Sequence, residues 1–187
     1  MNIIHILDEI SKKNVSLVRV AQFISGYNFL TKKNQLITLD NKDKLPNIKT
    51  IKDPLSNFLY FSKIFFFLKK TKPEIIHIHG MWRSIYYGFI LHGNFLNIPI
   101  IIQPHGMLLN AALKSKNRIN YFFKTVGIKI LQLINSKNIS FIAVTKEEQL
   151  SILKYFPKNL VKIIPSPFII YEQPHIRIKK KFVYSSN

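Results

Sequence analysis

Residues 73–82 read Pro-Glu-Ile-Ile-His-Ile-His-Gly-Met-Trp, an isoleucine-rich run that begins at a proline and is followed by a glycine. A short apolar run between such chain breakers favours a β-strand, here Ile75 to His79. A second run, Ile100-Ile101-Ile102, follows Pro99 and leads into Gln103-Pro104-His105-Gly106. Continuous apolar runs of this kind are typical of strands that are covered on both faces. The two segments therefore predict buried strands that each lead into a His-Gly turn.

Outside these two segments, strand-like and helix-like patterns alternate. Further strands are predicted at residues 2–7, 35–39, 48–51, 141–144 and 161–164, and helices at residues 15–30, 55–70, 84–93, 118–134 and 145–155. Alternating strands and helices with short connections predict parallel βαβ units. The predicted fold class is α/β, with a single Rossmann-like, doubly wound parallel sheet over residues 1–167. Residues 168–187 are predicted to be a linker and the start of a truncated second domain.

The composition favours one globular domain. The chain has 187 residues, of which 47% are hydrophobic, and it contains no cysteine. The lack of cysteine excludes disulfides, thiolate metal sites and a cysteine nucleophile. The N-terminus lacks the basic segment of a signal peptide. The longest apolar helix candidate, Leu55 to Leu68, is too short to span a membrane and carries Lys63. We therefore expect a cytoplasmic protein without a transmembrane segment.

The net charge of +19 arises from 28 Lys and Arg residues against 9 Asp and Glu residues. Such a charge attracts polyanions, including nucleic acids, anionic lipid headgroups and phosphorylated substrates. The abundance of Lys, Asn and Ile is equally explained by AT-rich codons. The basic residues are scattered along the sequence rather than clustered, so we expect no nucleic-acid partner.

Three turns hold the candidate site residues, because ligands of an open parallel sheet bind at the carboxyl ends of its strands. They are His77-Ile78-His79-Gly80-Met81-Trp82-Arg83, His105-Gly106, and Val144-Thr145. Gly80 permits a sharp turn or the close approach of a ligand. A histidine in such a turn can bond to a sugar hydroxyl or a phosphate. Thr145 starts a T-x-x-E capping box, so it either caps a helix or helps to bind an anion there.

The two histidines of the first turn leave several interpretations open. His77 and His79 point to one face of their strand, because they are two residues apart. Such a pair can bind zinc, but a third ligand is needed and no carboxylate lies nearby in the sequence. The other interpretations are histidines packed or hydrogen-bonded at the strand end, and histidines that bind a sugar or a phosphate. We expect no metal ion and no cofactor.

Four segments in this order resemble the N-terminal domain of family 4 (group 1) glycosyltransferases. They are PEIIHIHGMW at 73–82, IPIIIQPHGML at 98–108, FIAVTKEEQ at 141–149 and VKIIPSP at 161–167. Members of that family show an H-x-H-G turn, an H-G-M-L turn, a T-S-x-x-E helix start and an I-P-N-G or I-P-N-P exit. Four such motifs in order are far more specific than any one alone. The resemblance covers about Met1 to Pro167.

The resemblance implies a GT-B architecture, in which two Rossmann-like domains face each other across a cleft. The N-terminal domain holds the acceptor, and the C-terminal domain holds a UDP- or GDP-type sugar. The sugar is transferred with retention at the anomeric carbon, usually without a metal ion. By this resemblance His105 is the catalytic residue, which reaches the donor sugar from the acceptor side. The candidate substrate-binding residues line the three turns: His79, Gly80, Trp82, Arg83, Gly106 and Thr145.

The sequence departs from the family pattern in three places. Ser11 to Ser16 lacks the Gly-Gly loop that usually follows the first strand, and Ser166-Pro167 lacks the common Asn of the exit motif. No two glutamates are separated by seven residues, as the donor site of the family requires. We therefore expect that the donor-binding half is absent and that the chain alone has negligible transferase activity.

The expected function is that of an acceptor-side domain in cell-surface polysaccharide or lipopolysaccharide biosynthesis. The expected partners are a saccharide or lipid-linked acceptor and, only with a C-terminal domain, a nucleotide-sugar donor. Peripheral contact with the inner face of the membrane would suit the apolar and basic helices 55–70 and 118–134, although core packing explains the same pattern. The alternatives are a non-catalytic acceptor-binding half that pairs with a separate donor domain, an inactive remnant, and a basic nucleic-acid-binding domain.

Overall fold

The computed structural model describes residues 2–10, 35–41, 49–50, 59–114 and 118–165. The predicted helix at 15–30, the start of the helix predicted at 55–70 and the predicted linker at 168–187 lie outside these residues. The described elements, in chain order, are β1 (Ile3–Ile10), β2 (Gln35–Asn41), β3 (Lys49–Thr50), α1 (Leu59–Thr71), β4 (Ile75–His79), α2 (Ser84–Phe95), β5 (Ile100–Gln103), α3 (Asn110–Leu113), α4 (Arg118–Leu133), β6 (Ile139–Ala143), α5 (Lys146–Tyr155) and β7 (Leu160–Ile163).

The seven described strands form one sheet in the order β3-β2-β1-β4-β5-β6-β7. Every neighbouring pair is parallel. The order reverses between β1 and β4, as it does in doubly wound dinucleotide-binding sheets, and this reversal is where such sheets bind ligands. The prediction of an α/β, Rossmann-like parallel sheet is confirmed.

One face of the sheet is packed with isoleucine against the described helices. Residues of even number in β1, β4 and β5 lie side by side in register, as in the row Ile4, Ile76 and Ile100. All three are fully buried in one hydrophobic core, which also includes residues from α1, α2, α4 and α5. Near the β7 edge of the sheet, Phe141 of β6 belongs to the same core and stacks on Phe156, which follows α5, with ring centroids 4.8 Å apart. Residues of these strands are therefore committed to the core at every second position.

The opposite face of the same strands is polar near its centre. His5 of β1 pairs in register with His77 of β4, and His79 pairs with Gln103 of β5. Because side chains alternate along a strand, these four residues point to the face away from the isoleucines. Three of them, His5, His79 and Gln103, are buried. The fold therefore collects buried histidines around the point at which the strand order reverses.

The sequence misses α3 and misplaces several element ends by one to three residues. The helix ends depend on backbone conformations that the hydrophobic pattern does not show. At the end of α1, Lys72 adopts a left-handed conformation with a φ of 43°, and its N–H donates to the Leu68 carbonyl. Within the part of the chain that the structure describes, no helix has both the length and the apolar character needed to cross a bilayer.

Candidate functional site

The turn after β4 is held rigidly by its neighbours. Gly80 has a φ of 125°, a conformation that side chains with a Cβ rarely adopt, and its N–H donates to the Gln103 carbonyl at 2.9 Å. A Cβ at this position would lie 3.1 Å from the Tyr86 ring. The Tyr86 hydroxyl donates to the His79 carbonyl at 3.0 Å. Glycine is therefore required here for conformation and space, and the turn is closed against a buried tyrosine.

The turn after β5 places a histidine beyond the strand. His105 and Gly106 both have positive φ values, of 53° and 79°. The turn is closed by bonds from the Met107 N–H to the Pro104 carbonyl and from the Leu109 N–H to the Gly106 carbonyl. His105 is partly exposed, whereas His79 is only 2% exposed. Of the two turn histidines, His105 is the more accessible to solvent.

A chain of imidazoles connects the two turns. Nδ1 of His5 lies 3.3 Å from Nε2 of His79, and Nδ1 of His79 lies 3.3 Å from Nε2 of His105. A neutral imidazole has one donor and one acceptor nitrogen, so His79 must donate to one neighbour and accept from the other. The tautomer of His105 is therefore tied to that of His79. The chain runs from the buried face of the sheet to its carboxyl edge.

Burial keeps these rings neutral at physiological pH. Desolvation lowers the pKa of His5 and of His105 from 6.5 to about 4. It also lowers the pKa of His77 to about 3, an effect that the neighbouring histidines add to and a hydrogen bond with Gln103 partly opposes. The same causes hold the pKa of His79 well below 6.5. The cluster therefore offers neutral donor and acceptor nitrogens rather than positive charge.

A buried carboxylate anchors the second turn to the third. Glu148 is 2% exposed, and its two oxygens accept bonds from the Gly106 N–H and, at 2.7 Å, from the Val144 N–H. Thr145 caps α5, because its hydroxyl accepts the Glu148 N–H at 3.2 Å. In a reciprocal capping box the glutamate would reach back to the N–H of the capping residue. Here it instead holds the neighbouring loop, so Glu148 positions the backbone that carries His105.

The sequence pattern around Glu148 indicates only a local capping residue, and no pattern in the sequence connects His5 with the site. The T-x-x-E pattern identifies the helix start, and the threonine half of that interpretation matches the structure. The partner of the Glu148 carboxylate is 42 residues away in the sequence, and that of His5 is 74 residues away. The presence of a histidine inside the apolar run of β1 was the available clue.

Trp82 and Arg83 lie at the entrance to α2. Arg83 is the residue that precedes the first turn of α2, and its side chain makes no capping bond to that helix. Trp82 packs partly buried against the core and lines a mostly apolar groove of about 580 Å³ between α2 and α4. Tyr87, Phe123, Lys124 and Ile130 also line this groove. The structure therefore brings Trp82 together with α4, while His79, Gly80, His105 and Gly106 form a separate group joined to Thr145 through Glu148.

The histidines also form a constellation that could hold a metal ion. One nitrogen from each of His5, His77 and His79 lies within 4.8 Å of the other two. The sequence predicted no metal site because it showed only two of these histidines close together. The sheet supplies the third by pairing β1 with β4.

A parallel α/β sheet with two histidine turns at its carboxyl edge defines a Rossmann-like domain, and its candidate site residues gather at the ends of β4, β5 and β6. The chain belongs to Glycosyltransferase Family 4, whose sequence model matches residues 23–168. This match confirms the resemblance drawn from the four motifs. No curated protein matches the sequence significantly.

Among solved structures, the fold is similar to that of the UDP-GlcNAc 2-epimerase from Methanocaldococcus jannaschii. The TM-score is 0.56 at 16% sequence identity, and the match covers 87% of this chain and 45% of the epimerase. At this identity the likeness concerns the fold alone. The chain spans less than half the length of that structural relative.

Proposed function

We propose that residues 1–167 form the acceptor-side domain of a retaining nucleotide-sugar glycosyltransferase. The observation that carries this proposal is the joined pair of histidine turns, which presents a partly exposed imidazole at the carboxyl edge of a Family 4 domain. The proposed pathway is the assembly of cell-surface polysaccharide or lipopolysaccharide at the cytoplasmic face of the membrane.

His105 is the proposed catalytic contact. Its Nε2 faces His79, which leaves Nδ1 for a hydroxyl of the donor sugar. The neutral ring can donate or accept a bond there without adding charge to a site that must also bind a diphosphate. Gly106, held through its N–H by Glu148, lets the backbone approach the substrate closely. His79 acts behind His105 by fixing its tautomer.

The acceptor is proposed to occupy the groove that begins at Trp82. An aromatic side chain beside apolar residues suits the ring face of a saccharide or the first part of a lipid carrier. Arg83, which follows Trp82 in the chain, is the proposed partner of an acceptor phosphate. Exposed Phe122 and Phe123 on α4, together with Lys124 at the groove, support peripheral contact with an anionic membrane.

The donor side is proposed to come from a C-terminal domain. The structural relative is an epimerase of UDP-GlcNAc, and this chain corresponds to 45% of that relative. A UDP-type sugar bound by a second domain would then face His105 across a cleft. The described domain alone supplies one wall of that cleft, so we expect it to show negligible transfer.

The test measures sugar transfer by the purified chain, alone and with a candidate donor domain encoded downstream. We expect transfer only for the pair, and we expect His105→Ala to lower kcat by roughly 100-fold, in the range of a lost transition-state hydrogen bond. The control is His92→Gln, which alters a histidine on α2 whose ring packs on Phe61 and Phe65. Sugar transfer by the chain alone at ordinary enzyme rates would refute the proposal that a separate domain must bind the donor.

Calorimetry of UDP-sugars and of saccharide acceptors distinguishes the remaining alternative. A non-catalytic acceptor-binding half would bind acceptors and recruit the donor domain, yet the pair would transfer no sugar. An active pair that is unaffected by His105→Ala would retain the family assignment but remove His105 from the reaction.

A further inference from the structure

The three histidines on the polar face of β1 and β4 converge on one point. His5 Nδ1 and His79 Nε2 lie 3.3 Å apart, and a nitrogen of His77 lies within 4.8 Å of both. The His77 and His79 rings are 4.0 Å apart between centroids. In a tetrahedral zinc site with Zn–N bonds of about 2.0–2.1 Å, two ligand nitrogens are separated by about 3.3 Å. One pair already has the spacing of a tetrahedral edge.

The third histidine has a buried nitrogen that no described residue satisfies. Nε2 of His77 is shielded from solvent and has no hydrogen-bond partner among the residues that the structure describes. Leaving such a group unpaired costs about 1–3 kcal/mol, which is why buried polar atoms nearly always have a partner. A cation bound by the trio through this nitrogen would give it a partner.

The surroundings of the trio also suit a metal ligand set. A histidine that binds a metal through one nitrogen normally donates from its other nitrogen to a fixed acceptor. His79 does this if Nε2 faces the ion, because its Nδ1 lies 3.3 Å from His105 Nε2. An imidazole binds a metal through a nitrogen that carries no proton, and Nε2 of His79 is such a nitrogen when the proton of that ring lies on Nδ1.

We infer that His5, His77 and His79 form a binding site for one divalent transition-metal ion of the zinc type. Three neutral nitrogens without carboxylate or thiolate favour Zn²⁺ and its neighbours over Mg²⁺ or Ca²⁺. A fourth position would be filled by water. This inference does not depend on the proposed glycosyltransferase function, because the three histidines could bind the ion whether or not the protein transfers a sugar.

A bound ion would have one consequence for the second turn. With Nε2 on the metal, His79 carries its proton on Nδ1 and donates to His105 Nε2. His105 is then fixed as the tautomer protonated on Nδ1, so its outward nitrogen becomes a donor. The ion would thus select between the two hydrogen-bond directions that the imidazole chain permits in its absence.

The experiment titrates the metal-free chain with Co²⁺ and with Zn²⁺. Co²⁺ should bind at one ion per chain and give the visible absorption of a four- or five-coordinate nitrogen site, and Zn²⁺ should abolish this absorption. We expect His77→Gln to weaken Zn²⁺ binding by at least about 100-fold, because it removes a metal ligand. We expect His105→Gln to weaken it by roughly 10-fold, because it removes the hydrogen-bond partner of the ligand His79. His92→Gln is the matched control, because His92 Nε2 is also buried without a partner among the described residues but lies outside the trio. The His92→Gln variant should bind Zn²⁺ with the same affinity as the unaltered chain.

A second measurement avoids variants that fail to fold. In the unaltered chain, ¹⁵N spectra of the imidazoles should show Zn²⁺-dependent shifts of one nitrogen in each of His5, His77 and His79, and none in His92. The inference is overturned if the chain binds no stoichiometric Co²⁺ or Zn²⁺. It is equally overturned if bound Zn²⁺ shifts other residues instead, or if folded His77→Gln binds as tightly as the unaltered chain.

Discussion

The two His-Gly-Met turns have the same three residues in sequence but differ in structure. In the first, His79 is the last residue of β4, is buried, and bonds to imidazoles on both sides. In the second, His105 lies two residues beyond β5, has a left-handed backbone and is partly exposed. The same His-Gly-Met motif therefore places its histidine differently in the two turns. His79 still belongs to its strand and lies within the sheet, whereas His105 lies beyond its strand, at the carboxyl edge of the sheet.

The two glycines differ in the same way. Gly80 donates its N–H to the backbone of β5, whereas Gly106 donates to the Glu148 side chain. The first turn is thus part of the sheet, and the second is attached by one carboxylate. We expect perturbations of the sheet to affect both turns, and perturbations of Glu148 to affect the second turn alone.

Acidification should have the largest effect. Folding lowers the pKa of His5, His77, His79 and His105 below 6.5, so in acid the unfolded chain binds more protons than the folded chain. The contribution of these four histidines to the free energy of unfolding is therefore fully present above pH 6.5, and it decreases as the pH falls towards 4. His5 alone accounts for roughly 3 kcal/mol of this decrease.

Urea unfolding between about pH 8 and about pH 5, in the presence of a chelator, measures the part of this loss that occurs above pH 5. An imidazole titration of the folded chain should also protonate His105 before His79. A free energy of unfolding that stays constant over the interval would show that the rings are not buried as neutral groups.

Removing the carboxylate anchor should have the next largest effect. Glu148→Ala leaves the Gly106 and Val144 N–H groups without their acceptor, and we expect a loss of about 3 kcal/mol in stability. The neighbouring Glu147 is exposed, so Glu147→Ala is the matched control, with a change within about 0.5 kcal/mol. Hydrogen exchange should accelerate at Gly106 and remain slow at Gly80. Equal acceleration at both amides would contradict the separation of the two turns.

Adding one methyl group to each glycine should give a smaller, graded difference. Gly80→Ala places a Cβ 3.1 Å from Tyr86 in a backbone with a φ of 125°, and we expect a loss of about 2 kcal/mol. Gly106→Ala meets only Leu109, at 3.5 Å, and should lose about 1 kcal/mol. Thermal unfolding of the two variants side by side measures the difference. The reverse order would mean that the second turn is the more constrained.

Most of the sheet could be predicted from the sequence because its strands are local features. Isoleucine runs between breakers locate β4 at its observed bounds and β5 to within one residue. The alternation of strands and helices then predicts parallel pairing, which the structure confirms. Each of these inferences uses residues within about ten positions of one another.

The composition of the site could be predicted only in part, because it depends on contacts between distant strands. His79 and His105 are suggested by their turns, but their contact requires β4 and β5 to be neighbours. His5 enters only because β1 pairs with β4, and no local pattern around His5 reports that pairing. Glu148 has a local interpretation that is correct for Thr145, and this conceals its second bond to Gly106.

The left-handed backbone of His105 has a consequence for which substitutions selection would favour at this position. Among the described non-glycine residues with positive φ, Lys72 and Asn97 follow helices, where such a conformation closes the last turn, whereas His105 follows a strand. Holding a histidine there costs on the order of 1 kcal/mol relative to glycine. Laboratory selection for heat resistance alone should therefore replace His105 early, and selection that also demands catalysis should keep it.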